Sequence, residues 1–200
     1  MNSSSRAFGL VRVLTIIFVA GLFGGMVAVG VVLHRNAGLT ARTRVQFIQY
    51  ESALKAYCHE YGEMPPFIGQ EEILYLNRDG NSELLIKALS GRNPDGSQLS
   101  QQDKDYLNPS AKRFYTFTDN DFFKRKNGSL DRSQLADAFN NPNICIILES
   151  TLDNDTAISK ALLPRIVQRE IIGDLLNTQI VIFSIGADSK TTVLNCAKNK

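Results

Sequence analysis

Groups with reactive chemistry are few in this chain and lie far apart. Two histidines (His34, His59) and three cysteines (Cys58, Cys145, Cys196) supply all of its imidazole and thiol. A nucleophilic Cys or Ser needs a base within hydrogen-bond reach and a third group to orient that base. Cys58 and His59 are adjacent, and neighbours on a helix point about 100° apart. The pair therefore cannot converge, and the expected reading is Cys58 as core filler with His59 toward solvent. An odd cysteine count at these spacings matches neither a dense disulfide framework nor a zinc cluster. Two triplets, Asp119-Asn120-Asp121 and Asp153-Asn154-Asp155, resemble fragments of a calcium loop. Both lack the glycine at loop position six and the glutamate at position twelve, so they read as turns. Lys124-Arg125-Lys126 is a basic run too short to hold a nucleic acid or an anionic lipid, and reads as a solvated loop. No enzyme is expected, and no nucleic-acid partner.

The elements that position these groups follow from patterning. The chain has 200 residues, 44% of them hydrophobic and 21% charged, which suits about one folded domain and excludes wholesale disorder. A formal charge of +2 gives no global attraction to polyanions. Residues 13–33 (VLTIIFVAGLFGGMVAVGVVL) carry no charge, and their length matches the ~20 residues that cross a bilayer as a helix. The run is longer than the apolar core of a secretory signal, and His34-Arg35-Asn36-Ala37-Gly38 is a poor cleavage site. An uncleaved anchor is expected ahead of a secretory signal. Arginines stand on both sides, Arg6 and Arg12 before the run and Arg35, Arg42 and Arg44 after it, so charge bias does not assign the orientation.

Beyond the apolar run, Phe47, Tyr50, Leu54, Tyr57 and Tyr61 recur at spacings of three and four, one apolar stripe on a helix. Gly62 supplies a stop and Pro65-Pro66 prevents resumption. Short helices are expected over 71–76 and 82–89, a turn over 92–97, and a brief helix from a capping-box-like Ser100 to Leu107. Residues 114–117, 144–149 and 179–185 read as strands, and 159–172 as a helix. The sum is an α+β fold, a long N-terminal helix, transmembrane and then soluble, packed on a small antiparallel β-sheet. Cys145 lies in one expected strand and Cys196 follows another, leaving a bridge between them open.

In this order the segments resemble the pseudopilins of bacterial type II secretion, within the type IV pilin-like family, and most closely the major, G-type subunit. Arg6-Ala7-Phe8-Gly9-Leu10-Val11-Arg12 is similar to a prepilin-peptidase site, with Ala7 as the last leader residue and Phe8 as the methylated mature N-terminus. Leu54-Lys55-Ala56-Tyr57 with Tyr61-Gly62-Glu63-Met64-Pro65 is similar to the family's helix end. Asp137-Ala138-Phe139-Asn140-Asn141-Pro142 is similar to its Asp-x-Trp-Gly-Asn-Pro turn, with Phe139 at the tryptophan position. Phe183-Ser184-Ile185-Gly186-Ala187-Asp188-Ser189-Lys190 is similar to its Ser-x-Gly-Ala-Asp-Gly-Lys strand end.

The resemblance implies a pilin-like fold divided into a cytoplasmic leader (1–7), a transmembrane helix (8–34), its soluble continuation (35–64) and a globular domain (65–200). It also implies a single-pass bacterial inner-membrane protein with its C-terminal domain in the periplasm. Its partners would be other pseudopilins, inner-membrane components of the secretion system, the prepilin peptidase and membrane lipid. At the fifth mature position the family carries a glutamate that neutralises a neighbour's N-terminal amine, and here that assembly position is Arg12. The G-type subunit often binds calcium after the Gly-Ala-Asp motif. Past Asp188 this chain offers no further carboxylate side chain, so calcium is disfavoured and no cofactor is expected. Two functions follow: a structural subunit of a secretion filament, or a stand-alone membrane-anchored binding or adaptor domain that does not polymerise.

Overall fold

A computed structural model of the chain describes residues 4–71, 73–148, 180–185 and 192–196, with the backbone alone over 4–14, 16, 19–33 and 192–196. Its contacts divide the chain into two units, Met1–Leu39 and Thr40–Lys200. Helix α1 runs Ser4–Tyr61, and residues 40–61 of it belong to the second unit. In the first unit, Thr15, Ile17 and Phe18 are the members of the 13–33 run with described side chains, and all three are exposed. Among the described residues no helix is long and apolar enough to cross a membrane.

The second unit is α+β, a helix packed on small antiparallel sheets. After α1 come β1 (Leu74–Tyr75), α2 (Asn81–Ser90), α3 (Gln101–Leu107), β2 (Phe122–Lys124), β3 (Leu130–Leu135), β4 (Ile144–Leu148), β5 (Ile180–Ile185) and β6 (Thr192–Cys196). Four strands form one sheet in the order β1-β4-β5-β6, and β2 pairs with β3 in a second. Every described pairing is antiparallel. Successive side chains of a strand point to opposite faces, and β4 and β5 bury both. Ile144, Ile146, Ile180 and Ile182 pack toward the α1 stripe and α2, while Cys145, Ile147, Val181 and Phe183 form a cluster on the other face. Two-sided burial is why these strands read as unbroken apolar runs rather than alternating ones.

The stripe on α1 is core. Phe47, Tyr50 and Leu54 have no exposed surface, Tyr57 is 3% exposed, and the half-buried Tyr61 packs against the same cluster. Gly62 ends the helix in the left-handed region, φ 80°, with its N–H on the Cys58 carbonyl. The 82–89 and 100–107 helices form as α2 and α3, and the Ser100 hydroxyl caps Asp103 N at 3.0 Å.

Two local expectations are corrected. In place of a helix over 71–76, Leu74 and Tyr75 pair with Ile146 and Cys145 of β4, and Leu76 N donates to Ile144 O. A segment this short, confined between Pro66 and Gly80, gains little from helix formation, so sheet pairing prevails. Residues 114–117 extend without joining a sheet. Phe114 N and Tyr115 N both donate to Leu89 O, satisfying a carbonyl that the end of α2 leaves without an intrahelical partner. The expected helix over 159–172 lies outside the described residues, as do Asp153-Asn154-Asp155.

A bridge between Cys145 and Cys196 is also excluded. β5 lies between their strands, with Cys145 opposite Phe183 and Cys196 opposite Val181. Two strand spacings separate them by about 9–10 Å, beyond disulfide reach, and the Cys145 thiol is free and buried.

Candidate functional site

Polar side chains that hold α1 to the hairpin and the sheet are the most constructed feature of the second unit. Asp121 is 4% exposed. Its Oδ1 accepts from Gln46 Nε2 (3.1 Å), Tyr50 Oη (3.1 Å) and Tyr115 Oη (3.2 Å). Its Oδ2 accepts from Thr118 N (2.7 Å) and Thr118 Oγ1 (2.8 Å). Among the described residues Asp121 forms no ion pair, so neutral donors hold its charge in place of a cation. Gln46 also donates to Tyr50 Oη (2.9 Å) and to Ala136 O (2.9 Å), tying the helix to the end of β3. Burial, then the neighbouring Asp121 charge, pushes the Tyr50 and Tyr115 hydroxyls well up from their ordinary range. Both remain protonated donors toward the carboxylate.

The second knot is the turn after β3. Asp137, 3% exposed, accepts from Phe139 N (2.9 Å) and Asn141 N (3.0 Å) at Oδ1, and from Ser184 Oγ (2.8 Å) at Oδ2. Asn141 Nδ2 donates to Ile185 O at 2.8 Å, and Ala138 N donates to Thr43 Oγ1 of α1 at 3.2 Å. Asn140, at φ 62°, accepts from Lys124 N (2.7 Å) and donates to Lys124 O (2.8 Å). One turn thus grips β5, β2 and α1 together.

At the end of α1, Tyr57 Oη donates to Leu107 O and Tyr61 Oη to Asn108 Oδ1 (2.6 Å). Asn108 is fully buried. Its amide donates to Ala88 O and Lys112 O, and it accepts from Lys112 N. Tyr57, Tyr61 and Phe114 pack as a ring cluster with centroids 4.7–5.8 Å apart.

A cleft of about 460 Å³ opens beside the first knot, lined among others by Arg42, Gln46, Tyr115, Asp121, Lys124 and Asn140. Its lining includes no histidine and no cysteine. Among the described residues no group of three His, Cys, Asp or Glu side chains is placed to hold a metal ion. Cys58 is half-buried and His59 exposed, and burial pushes the Cys145 thiol up to about 12, which removes it as a nucleophile at neutral pH.

Of the segments singled out in the sequence, the helix that carries the stripe meets the 137–142 turn through Thr43 and Ala138, and the turn meets the 183–185 strand end through Ser184 and Ile185. Asp119 pairs at the surface with Arg132 (2.9 Å), while its neighbour Asp121 is the buried acceptor. Ala7, Phe8 and Arg12 lie in α1, where only the backbone is described, and Asp188 lies outside the described residues. Gln46, Asn108 and the acceptor role of Asp121 were missed. A polar Gln46 four residues before Tyr50, hence on the same helix face, is the signal that could have found the first knot.

Comparison of the chain with protein-family models, with curated proteins and with solved structures returns no match.

Proposed function

We propose that this chain is a structural, non-catalytic pilin-like subunit, a pseudopilin of a type II secretion or related filament. In this reading residues 8–34 form the membrane-spanning part of α1 in a bacterial inner membrane, and the globular part lies in the periplasm. Ala7–Phe8 is the peptidase cleavage site, and the partners are other pseudopilins and inner-membrane components of the same apparatus. One observation carries the reading. Two segments that resemble family motifs, the 137–142 turn and the 183–185 strand end, are far apart in sequence yet hydrogen-bonded to each other, and the turn also bonds the helix bearing the aromatic stripe. A polar brace of this kind holds an extended helix to its domain, which is what a filament subunit needs when neighbours pull on that helix.

The test is the mass of the N-terminus isolated from native membranes. A chain beginning at methylated Phe8 supports the proposal, and one beginning at Met1 refutes it.

Arg12 favours a second reading, an anchored binding or adaptor domain with pilin-like shape that does not polymerise. An arginine repels the amine that a glutamate at this position would attract. Arg12→Glu is then expected to increase cross-linking to a partner pseudopilin. Equal cross-linking of both forms into long homopolymers rules out control of assembly by this charge.

A further inference from the structure

A second, smaller recess of about 210 Å³ lies between the end of α2, the 92–97 turn, the extended 113–117 segment and β3. Three arginines, Arg92, Arg113 and Arg132, are among its lining residues, with Asp95 the one acidic residue among them. That carboxylate is engaged by its own turn, accepting from Ser97 N (2.9 Å) and Ser97 Oγ (2.6 Å) at Oδ1. Arg92 is oriented by donation from Nη1 to Gly96 O at 3.0 Å. Arg132 is oriented by Asp119 at 2.9 Å and lies over the Phe122 ring, 5.6 Å from its centroid. Arg113 is exposed and, among the described residues, forms no ion pair.

Against the three arginines stand two acids, Asp95 and the Asp119 that pairs with Arg132, which leaves a surplus of positive charge beside the recess. A guanidinium presents a planar fork of donors that matches carboxylate and phosphate oxygens. Two of the three forks are already held by internal contacts, so little side-chain freedom remains to be lost when an anion arrives. Tyr115, Phe117 and Phe122 supply an apolar wall. The volume is below the ~300–1,000 Å³ typical of drug-sized ligands, which suits a head group with a short stem rather than a whole large molecule.

We propose that this recess binds an oxyanion group, phosphate or carboxylate, carried on a short apolar stem.

The test is calorimetric titration of the full chain in a non-ionic detergent at constant ionic strength, with phenyl phosphate, benzoate and inorganic phosphate as probes. Saturable binding of one phenyl phosphate or one benzoate per chain, tighter than inorganic phosphate, is expected, and the tighter of the two assigns the head group. Arg113→Gln disturbs no internal ion pair and should weaken binding about tenfold or more with an unchanged melting temperature. Lys126→Gln, in the exposed turn after β2, should leave it unaltered. Absence of saturation up to about 10 mM, equal binding of inorganic phosphate, or equal weakening by both substitutions overturns the proposal.

Discussion

Replacing Asp121 with alanine tests whether the polar knot holds α1 to the rest of its unit. The substitution removes the acceptor of five hydrogen bonds, three at Oδ1 and two at Oδ2. Gln46 Nε2 keeps Ala136 O and Tyr50 Oη as acceptors. Tyr115 and Thr118 line the cleft, so water can replace their lost acceptor. Tyr50 is fully buried, and its hydroxyl is left without one. A buried donor left unsatisfied costs about 1–3 kcal/mol. Loss of the Thr118–Asp121 turn bonds adds about 1 kcal/mol. The expected total is about 2–4 kcal/mol. The assay is urea unfolding of the full chain in detergent, followed by tyrosine fluorescence, since the sequence has six tyrosines and no tryptophan. Asp119→Ala is the control. It breaks only an ion pair whose side chains are 53% and 67% exposed, and should cost less than about 1 kcal/mol. If Asp121→Ala costs no more than Asp119→Ala, the knot does not secure the helix and the reasoning fails.

Gly91 ends α2 at φ 65°, and a Cβ there would stand 2.3 Å from Ala111 O. Gly91→Ala should therefore destabilise by at least ~2 kcal/mol, seen as a melting temperature lower by about 4–8 °C. Burial raises Tyr50 and Tyr115 and brings Tyr57 to about 12, from an ordinary 10. The unfolded chain thus loses these protons first, and stability that is complete below pH 10 should fall as pH rises from there through about 12, by up to about 1.4 kcal/mol per pH unit for each tyrosine. A pH series of urea midpoints checks this, and a flat profile above pH 10 would contradict it. Cys145 should be recovered as a free thiol by alkylation of the denatured chain without reductant, and a Cys145–Cys196 peptide pair in the digest would overturn the sheet register.

The strongly patterned segments were legible in the sequence. The stripe from Phe47 to Tyr61 repeats over four helical turns, and the apolar runs that became β4 and β5 are long enough to mark strands. Local cues failed where distant partners decide the conformation. Leu74 and Tyr75 follow β4, and residues 114–117 follow the Leu89 carbonyl at the end of α2. The β2–β3 hairpin carries a local signal of its own, Asn127-Gly128 between its strands, a common hairpin turn pair, with Gly128 at φ 83°. The first knot is half legible. The Gln46–Tyr50 spacing marks its helix side, but Asp121 gathers donors from α1 and from residues 115–118, and no local spacing relates Gln46 to a residue 75 positions away.

The 137–142 turn shows how a residue other than glycine can serve at a left-handed backbone position. The fourth residue of this turn is Asn140. Its φ of 62° lies in the left-handed region, where glycine is free of strain and asparagine is the best tolerated of the other residues. Asparagine also adds what glycine cannot, because its side-chain amide pairs with both the N–H and the C=O of Lys124, as a neighbouring strand would. Asn140→Gly should keep the turn but lose both bonds, costing about 1–2 kcal/mol for partly exposed groups. Asn140→Ala loses the same bonds and adds about 1 kcal/mol of left-handed strain. Urea midpoints should therefore fall in the order wild type, Asn140→Gly, Asn140→Ala. If the glycine variant is as stable as wild type while the alanine variant is not, the backbone conformation alone is what this position supplies, and the clamp on β2 contributes nothing.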